Sequence, residues 1–159
     1  MIVRPIVATD EAAYRAILED TTAEDRYCRF FHLVDHFDPD ELHRFVEPRS
    51  DTIGMIAFDG ETPLGTAHAI LLDESGAEAE LAIVVARSAR RAGVGTTLID
   101  ALVARLRERG VRRVIACALR ENRPLENLAR RTGFHVDLAD GPAWRFVLDL
   151  APRTEPLPG

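Results

Sequence analysis

Lysine does not occur in these 159 residues, and all 20 basic side chains are arginine. That excludes a Walker phosphate loop, which needs Gly-Lys-Ser/Thr ahead of its helix. Cysteine is scarce: Cys28 and Cys117 are the only two. A disulfide scaffold carries more of them at tighter spacing. Cys117 sits in the apolar run VIACAL and reads as a core thiol, and nothing near Cys28 in RYCRFF marks it as a nucleophile. No apolar run approaches the roughly 20 residues of a membrane helix, and the opening MIVRPIVATDEAA lacks the apolar region of a signal peptide. No membrane contact is expected, and the cytoplasm is the expected location. The net charge of −6 argues against nucleic-acid binding, which depends on a positive surface, and fits a cationic partner.

What is present reads as a single α/β domain over residues 1–150, followed by a Pro-rich tail, 151–159, expected to be flexible. IVRPIV holds a short strand, Ile2 to Ile6. ATDEAAYRAILEDT is a helix capped by Thr9 or Asp10. TAEDRYCRFFHLVDHF is a second helix behind Thr22, and DPDELHRFVEP a third, with Asp38 as cap and Pro39 in its first turn. Two strands flank the turn at Asp59–Gly60. Ala79 to Ala86 is apolar on consecutive positions and reads as a central strand buried on both faces. In the next helix Leu98, Ile99, Leu102, Val103 and Leu106 form one stripe, and Gly110 ends it. VRRVIACAL is a strand and RPLENLARRTGF a short helix with Pro124 early and Gly133 beyond its end. FHVDL and AWRFVLDL are the last two strands. The order implies a mixed sheet of about seven strands flanked by helices.

The turn between the central strand and the long helix, Arg90-Arg91-Ala92-Gly93-Val94-Gly95, is the chemical signal. A helix N-terminus offers unpaired N–H groups and about half a positive charge, so anions settle there. Glycines at 93 and 95 let a phosphate approach the backbone, and Arg90 and Arg91 add charge. A dinucleotide fingerprint is a poor fit, since Leu98 stands where a third glycine would be. Taken alone, the six residues are equally consistent with an ordinary glycine-rich helix start.

With its strand and helix, the turn resembles the acetyl-CoA motif, Gln/Arg-x-x-Gly-x-Gly/Ala, of the GCN5-related N-acetyltransferases (GNAT superfamily). ENRPLENLARRTGF resembles the superfamily's second signature, through Asn122, Gly133 and Phe134. RPIVATDEAAYRAIL and TAEDRYCRFF are similar to the start of its protein-lysine acetyltransferase branch. The resemblance spans about residues 2–150. It implies a GNAT-type fold whose central strand splays from its neighbour. Acetyl-CoA is the implied co-substrate and no metal is implied. The backbone of Ile83, Val84 and Val85 would hold the pantetheine arm. Arg90 and the amides of Arg91, Ala92, Gly93, Val94, Gly95 and Thr96 would hold the pyrophosphate, and the Thr96 hydroxyl would add to them. Asn122 would contact the cofactor arm; its other reading is a helix cap. Many relatives have the small and basic residues at 91 and 92 in the opposite order.

By the same resemblance Glu80 is the catalytic base, with Glu78 as its fallback; the other reading of Glu80 is an exposed strand-end acid. The family's tyrosine acid aligns with Ala129, and the only tyrosines, Tyr14 and Tyr27, lie in the N-terminal helices. His32, His36 and His43 have helical spacing but no completed metal motif, and His68 and His135 read as strand residues. Tyr27, Phe30 and Phe31 read as core anchors. Three functions stay open: acetyl transfer to a protein lysine, which a lysine-free enzyme could not perform on its own side chains; transfer to a small amine; and a non-catalytic acyl-CoA sensor. The lack of lysine equally fits a coding sequence rich in G and C. A homodimer is an option, since relatives often pair.

Overall fold

The computed structural model describes residues 1–21, 43, 46–47, 49–90, 92–138 and 141–150. The chain starts in strand β1 (Ile2–Pro5), makes one 3-10 turn at Ala8–Asp10 and enters helix α1 (Glu11–Glu19). Strands β2 (Thr52–Asp59), β3 (Thr62–Leu71) and β4 (Glu78–Val85) follow. A second 3-10 turn at Arg87–Ala89 leads to helix α2 (Val94–Glu108). The chain closes with β5 (Arg113–Leu119), helix α3 (Arg123–Arg131), β6 (His135–Leu138) and β7 (Ala143–Asp149). The seven strands form one mixed sheet in the order β1-β2-β3-β4-β5-β7-β6. Every pairing is antiparallel except β4 with β5.

The two faces of the sheet are covered by different helices. On one, Tyr14, Ile17 and Leu18 of α1 pack with Ile56, Val84 and Val46. On the other, the α2 stripe of Leu98, Leu102 and Leu106 is wholly buried against Ala57, Ala67, Leu81 and Val114. Along β4, Leu81 therefore serves one core and Val84 the other, as the run of consecutive apolar residues implies. The helix breaks at Gly110 and the α3 exit at Gly133 both have positive φ, 82° and 95°. His68, in β3, is buried under α1 with its ring 5.3 Å from that of Tyr14.

The start of α1 departs from expectation. Asp10 occupies the cap position, yet its side chain does not cap α1. Its carboxylate points back, accepting two bonds of 2.8 Å from the Arg4 guanidinium and one of 2.8 Å from the Val7 N–H. A bidentate charged pair is stronger than a single cap bond to a neutral amide, so β1 captures the group that local pattern assigns to the helix. The expected second helix, with Cys28, Tyr27, Phe30, Phe31, His32 and His36, lies outside the described residues, as does the 151–159 tail. Of the expected third helix, His43 and Val46 are helical, and Val46 is buried.

Arg4 holds the Asp10 carboxyl below its ordinary value of 3.8. The pair therefore stabilises the fold above that pH, and its contribution is lost as Asp10 protonates at lower pH. Asp10→Asn is expected to lower stability by roughly 1–2 kcal/mol at pH 7. In urea unfolding, the gap to the wild type should narrow as the pH falls below about 4.

Candidate functional site

Strand β4 pairs with β3 along its length, from Leu71↔Ala79 to Gly65↔Val85. Strand β5 does the same with β7, from Arg113↔Asp149 to Leu119↔Ala143. Between β4 and β5 only three pairs form: Glu78↔Arg113, Ala79↔Val114 and Glu80↔Ile115. Beyond Glu80 the strands part, and the backbone groups of Leu81–Val85 that would have met β5 have no strand partner there. Buried backbone polar groups need partners, so this edge is suited to an extended ligand.

A groove of about 850 Å³ lies at the opening, within the range of roughly 300–1,000 Å³ common for ligand sites. It brings together Ile83, Val84, Val85, Arg90, Gly93, Val94, Gly95, Thr96 and Asn122 from the expected set. Ala92 is exposed and is not among the lining residues, and Arg91 lies outside the described residues. The Val84 side chain is buried in the α1 core, so only its backbone is available to the groove. The opposite wall, from α3, was not anticipated: Pro124, Leu125, Asn127, Leu128, Arg130 and Arg131. Residues 124, 127, 128 and 131 have the spacing of one helical face, which is the signal that would have found them.

The turn is shaped by its two glycines. Gly93 caps α2 with φ 77°, a left-handed conformation that costs other residues roughly 1–2 kcal/mol. At Gly95 a Cβ would stand 2.7 Å from Leu128 Cδ2, so the missing side chain lets α3 close on the turn. Thr97, rather than Thr96, makes the local bond, donating its hydroxyl to the Gly93 carbonyl at 2.9 Å. The turn is also tied to α1. Arg87 N–H donates to the Asp20 carbonyl at 2.9 Å, and the Ser88 N–H and hydroxyl donate to the Asp20 carboxylate at 3.2 and 2.8 Å. Asn122 does cap α3, accepting from Leu125 N–H at 3.2 Å, while also lining the groove.

Of the two candidate bases, Glu78 is half exposed and lies 3.9 Å from Arg113. Glu80 is only 9% exposed, and its Oε1 has no hydrogen-bond partner among the described residues. Burial pushes its carboxyl from 4.5 up to about 7. The reading of Glu80 as an exposed strand-end acid is thereby replaced, because Glu80 is the last residue at which β4 and β5 still join. Ala129 is buried in α3, and Tyr14 is in the α1 core, away from the groove. His43 is exposed, 3.6 Å from Glu11 and 2.7 Å from Glu47. Among the described residues no group of three or more side chains could hold a metal ion, and no helix is long and apolar enough to cross a membrane.

The sequence profile of the Acetyltransferase (GNAT) family matches residues 13–134. Among solved structures, the GNAT domain of PAT from S. lividans is 26% identical, with a TM-score of 0.82 over 93% of this chain and 89% of that one. A ribosomal-protein-alanine N-acetyltransferase from Brucella melitensis is 24% identical, with a TM-score of 0.75 over 94% and 100%. A spermidine N-acetyltransferase chimera from Vibrio cholerae and hSSAT is 15% identical, with a TM-score of 0.72 over 94% and 96%.

Since burial favours the neutral form of Glu80, its effect on stability has a definite sign. The folded carboxyl titrates near 7 and the free one near 4.5, so the wild type loses stability as pH rises between those values. Glu80→Gln has no such charge to bury. Urea unfolding at pH 5 and pH 8 should show the variant gaining on the wild type by roughly 1–3 kcal/mol at the higher pH.

Proposed function

Because the chain belongs to the GNAT family of acetyltransferases, acyl-CoA-dependent enzymes that transfer to amine nitrogen, we propose that it acetylates a protein lysine from acetyl-CoA by direct transfer in a ternary complex. The carrying observation is the separation of β4 and β5. Along β4 it sets Ile83–Val85, which line the groove with the glycine-rich turn, three residues beyond Glu80, the buried carboxyl at the last pair between the strands. The groove fits the cofactor's chemistry: amides at a helix N-terminus for the pyrophosphate, an unpaired strand edge for an amide-bearing arm, and apolar walls between.

The backbone of Ile83–Val85 accepts and donates along the pantetheine arm, as a third strand would. The amides from Gly93 to Thr96, with Arg90 beside them, hold the pyrophosphate, and Asn122 borders the arm. Bound acetyl-CoA supplies an activated acyl carbon and a thiolate leaving group. An amine of pKa near 10.4 is unprotonated in only about one molecule in 2,500 at pH 7. Glu80 removes the ammonium proton, directly or through one water, and a carboxyl titrating near 7 suits that task at neutral pH. Ala129 offers no proton, so the thiolate leaves as such or takes one from water.

The likeness of TAEDRYCRFF to that branch favours a protein lysine, and the chain's own lack of lysine is compatible with it. The fold does not select the acceptor, since it is shared by proteins whose names specify a ribosomal-protein alanine and spermidine. A small amine is therefore the second reading, and the net charge of −6 is compatible with it.

Calorimetry with acetyl-CoA, followed by thiol release over a panel of lysine peptides and small amines, tests the proposal. Wild type and Glu80→Gln should both bind the cofactor. Only the wild type should turn over efficiently, with the variant down by roughly 10²–10⁴ in kcat, and wild-type kcat/KM should rise with pH through about 7. Failure of both proteins to bind would reduce the turn to an ordinary helix start. Binding with no thiol release by any amine would point to a sensor, and a preference for small amines would displace the lysine reading.

A further inference from the structure

Helix α1 ends on Glu19 with Asp20 as its C-cap, and its last turn has no basic residue. A carboxylate is out of place there, because a helix C-terminus carries partial negative charge. Asp20 serves another element. The 3-10 turn at Arg87–Ala89 starts behind Ala86, which makes no side-chain cap bond. The first N–H groups of such a turn need acceptors from outside it. Asp20 supplies them. Its carbonyl takes the Arg87 N–H at 2.9 Å, and its carboxylate takes the Ser88 N–H at 3.2 Å and the Ser88 hydroxyl at 2.8 Å. The Ser88 bonds hold the carboxyl below its ordinary value of 3.8, and the charges of Arg87 and Arg90 act in the same direction. Asp20 is thus an N-cap brought to the turn from 68 residues away.

The capped turn stands directly ahead of one wall of the groove. Arg90 leaves it in an extended conformation, φ −69° and ψ 153°, towards Gly93 and the start of α2. Arg90 and Gly93–Thr96 line the groove, so the place of 87–89 sets where that wall begins. We propose that Asp20 is a positioning residue for the donor: by capping this turn from α1, it fixes Arg90 and the amides of Gly93–Thr96 for the pyrophosphate of acyl-CoA, and it leaves the thioester end of the donor untouched. The inference rests on the donor reading of the groove. Asp20 is not among the residues that line the groove, and a carboxylate near Arg90 opposes phosphate binding by charge. The gain therefore comes from placement of the turn and not from electrostatics. Both side-chain bonds lie at the surface, where such contacts add little to stability, so their loss leaves the fold intact.

The test is calorimetry of the whole protein with acetyl-CoA, the affinity of phosphate-free S-acetylpantetheine being read from its competition. Asp20→Ala should weaken acetyl-CoA by about 3- to 10-fold, with S-acetylpantetheine unchanged. Ser88→Ala keeps the carboxylate and the Ser88 N–H and should fall between the two proteins. Asp20→Asn, whose amide oxygen can still accept from Ser88, should recover most of the loss. If Asp20→Ala folds poorly, Ser88→Ala decides by the same ratio of the two donors. Equal weakening of both donors would make Asp20 a general structural contact and overturn the proposal. Tighter acetyl-CoA binding by Asp20→Ala would also overturn it, since charge would then outweigh placement. Wild-type binding that neither variant alters would remove the role of Asp20 and leave the donor reading standing. Absence of acetyl-CoA binding by the wild type would overturn the donor reading, and the proposal with it.

Discussion

The parallel ladder between β4 and β5 stops at Glu80↔Ile115, while each strand stays paired with its other neighbour along its length. Two well-paired half-sheets, β1-β2-β3-β4 and β5-β7-β6, thus meet at one end only. The opening is held by hydrogen bonds on its outer sides rather than by anything inside it. That leaves a row of backbone groups without a strand partner in the middle of a sheet, a position where an edge would otherwise be covered or paired. The same geometry places one residue of β4 at the apex, and that residue is a glutamate.

Both walls of the opening rest on close packing. Leu98, Leu102 and Leu106 seat α2 on the sheet with no exposed surface, which fixes its N-terminus beside Val85. Gly95 then lets the Leu128 side chain of α3 pack against the turn, where a Cβ at 95 would stand 2.7 Å from Leu128 Cδ2 and force that side chain to shift. Asp20 anchors the preceding 3-10 turn to the end of α1 through Arg87 and Ser88. The helix on the far face of the sheet and the segment leading into the glycine-rich turn are consequently linked by hydrogen bonds. At the apex, desolvation alone accounts for the raised carboxyl of Glu80, so the strand geometry that opens the groove also keeps that group neutral until about pH 7.

Much of this could be read along the chain. The stripe from Leu98 to Leu106, the glycines at 93, 95, 110 and 133, the Asp59–Gly60 hairpin and the doubly buried β4 all follow from local pattern. Each rests on a property of a few consecutive residues: helical spacing, a positive φ, or an apolar run. That Arg90 and Gly93–Thr96 shape one wall of the groove was legible for the same reason, because a glycine-rich helix start is a local device. The α3 wall of the groove was not, since the spacing of 124, 127, 128 and 131 shows a face without showing what it faces. Asp10 stands at the expected cap position, but the direction of its carboxylate was not legible, because its stronger partner, Arg4, lies in a different element.

Sequence by itself determined the elements, their order, the glycine-shaped turn and the likeness to a family whose profile matches residues 13–134. Tertiary structure alone decided which of two nearby glutamates is buried, where β4 leaves β5, and which face of α3 walls the groove. The physical reason is the range of the interactions. Propensity, capping and periodicity act over a few residues, whereas burial of a carboxyl, separation of two strands and an unfilled volume are set by segments distant in the chain. Glu78 and Glu80 differ by two positions and have the same chemistry. One is half exposed beside Arg113 and the other is enclosed by the sheet, and that difference comes from the packing of the whole domain.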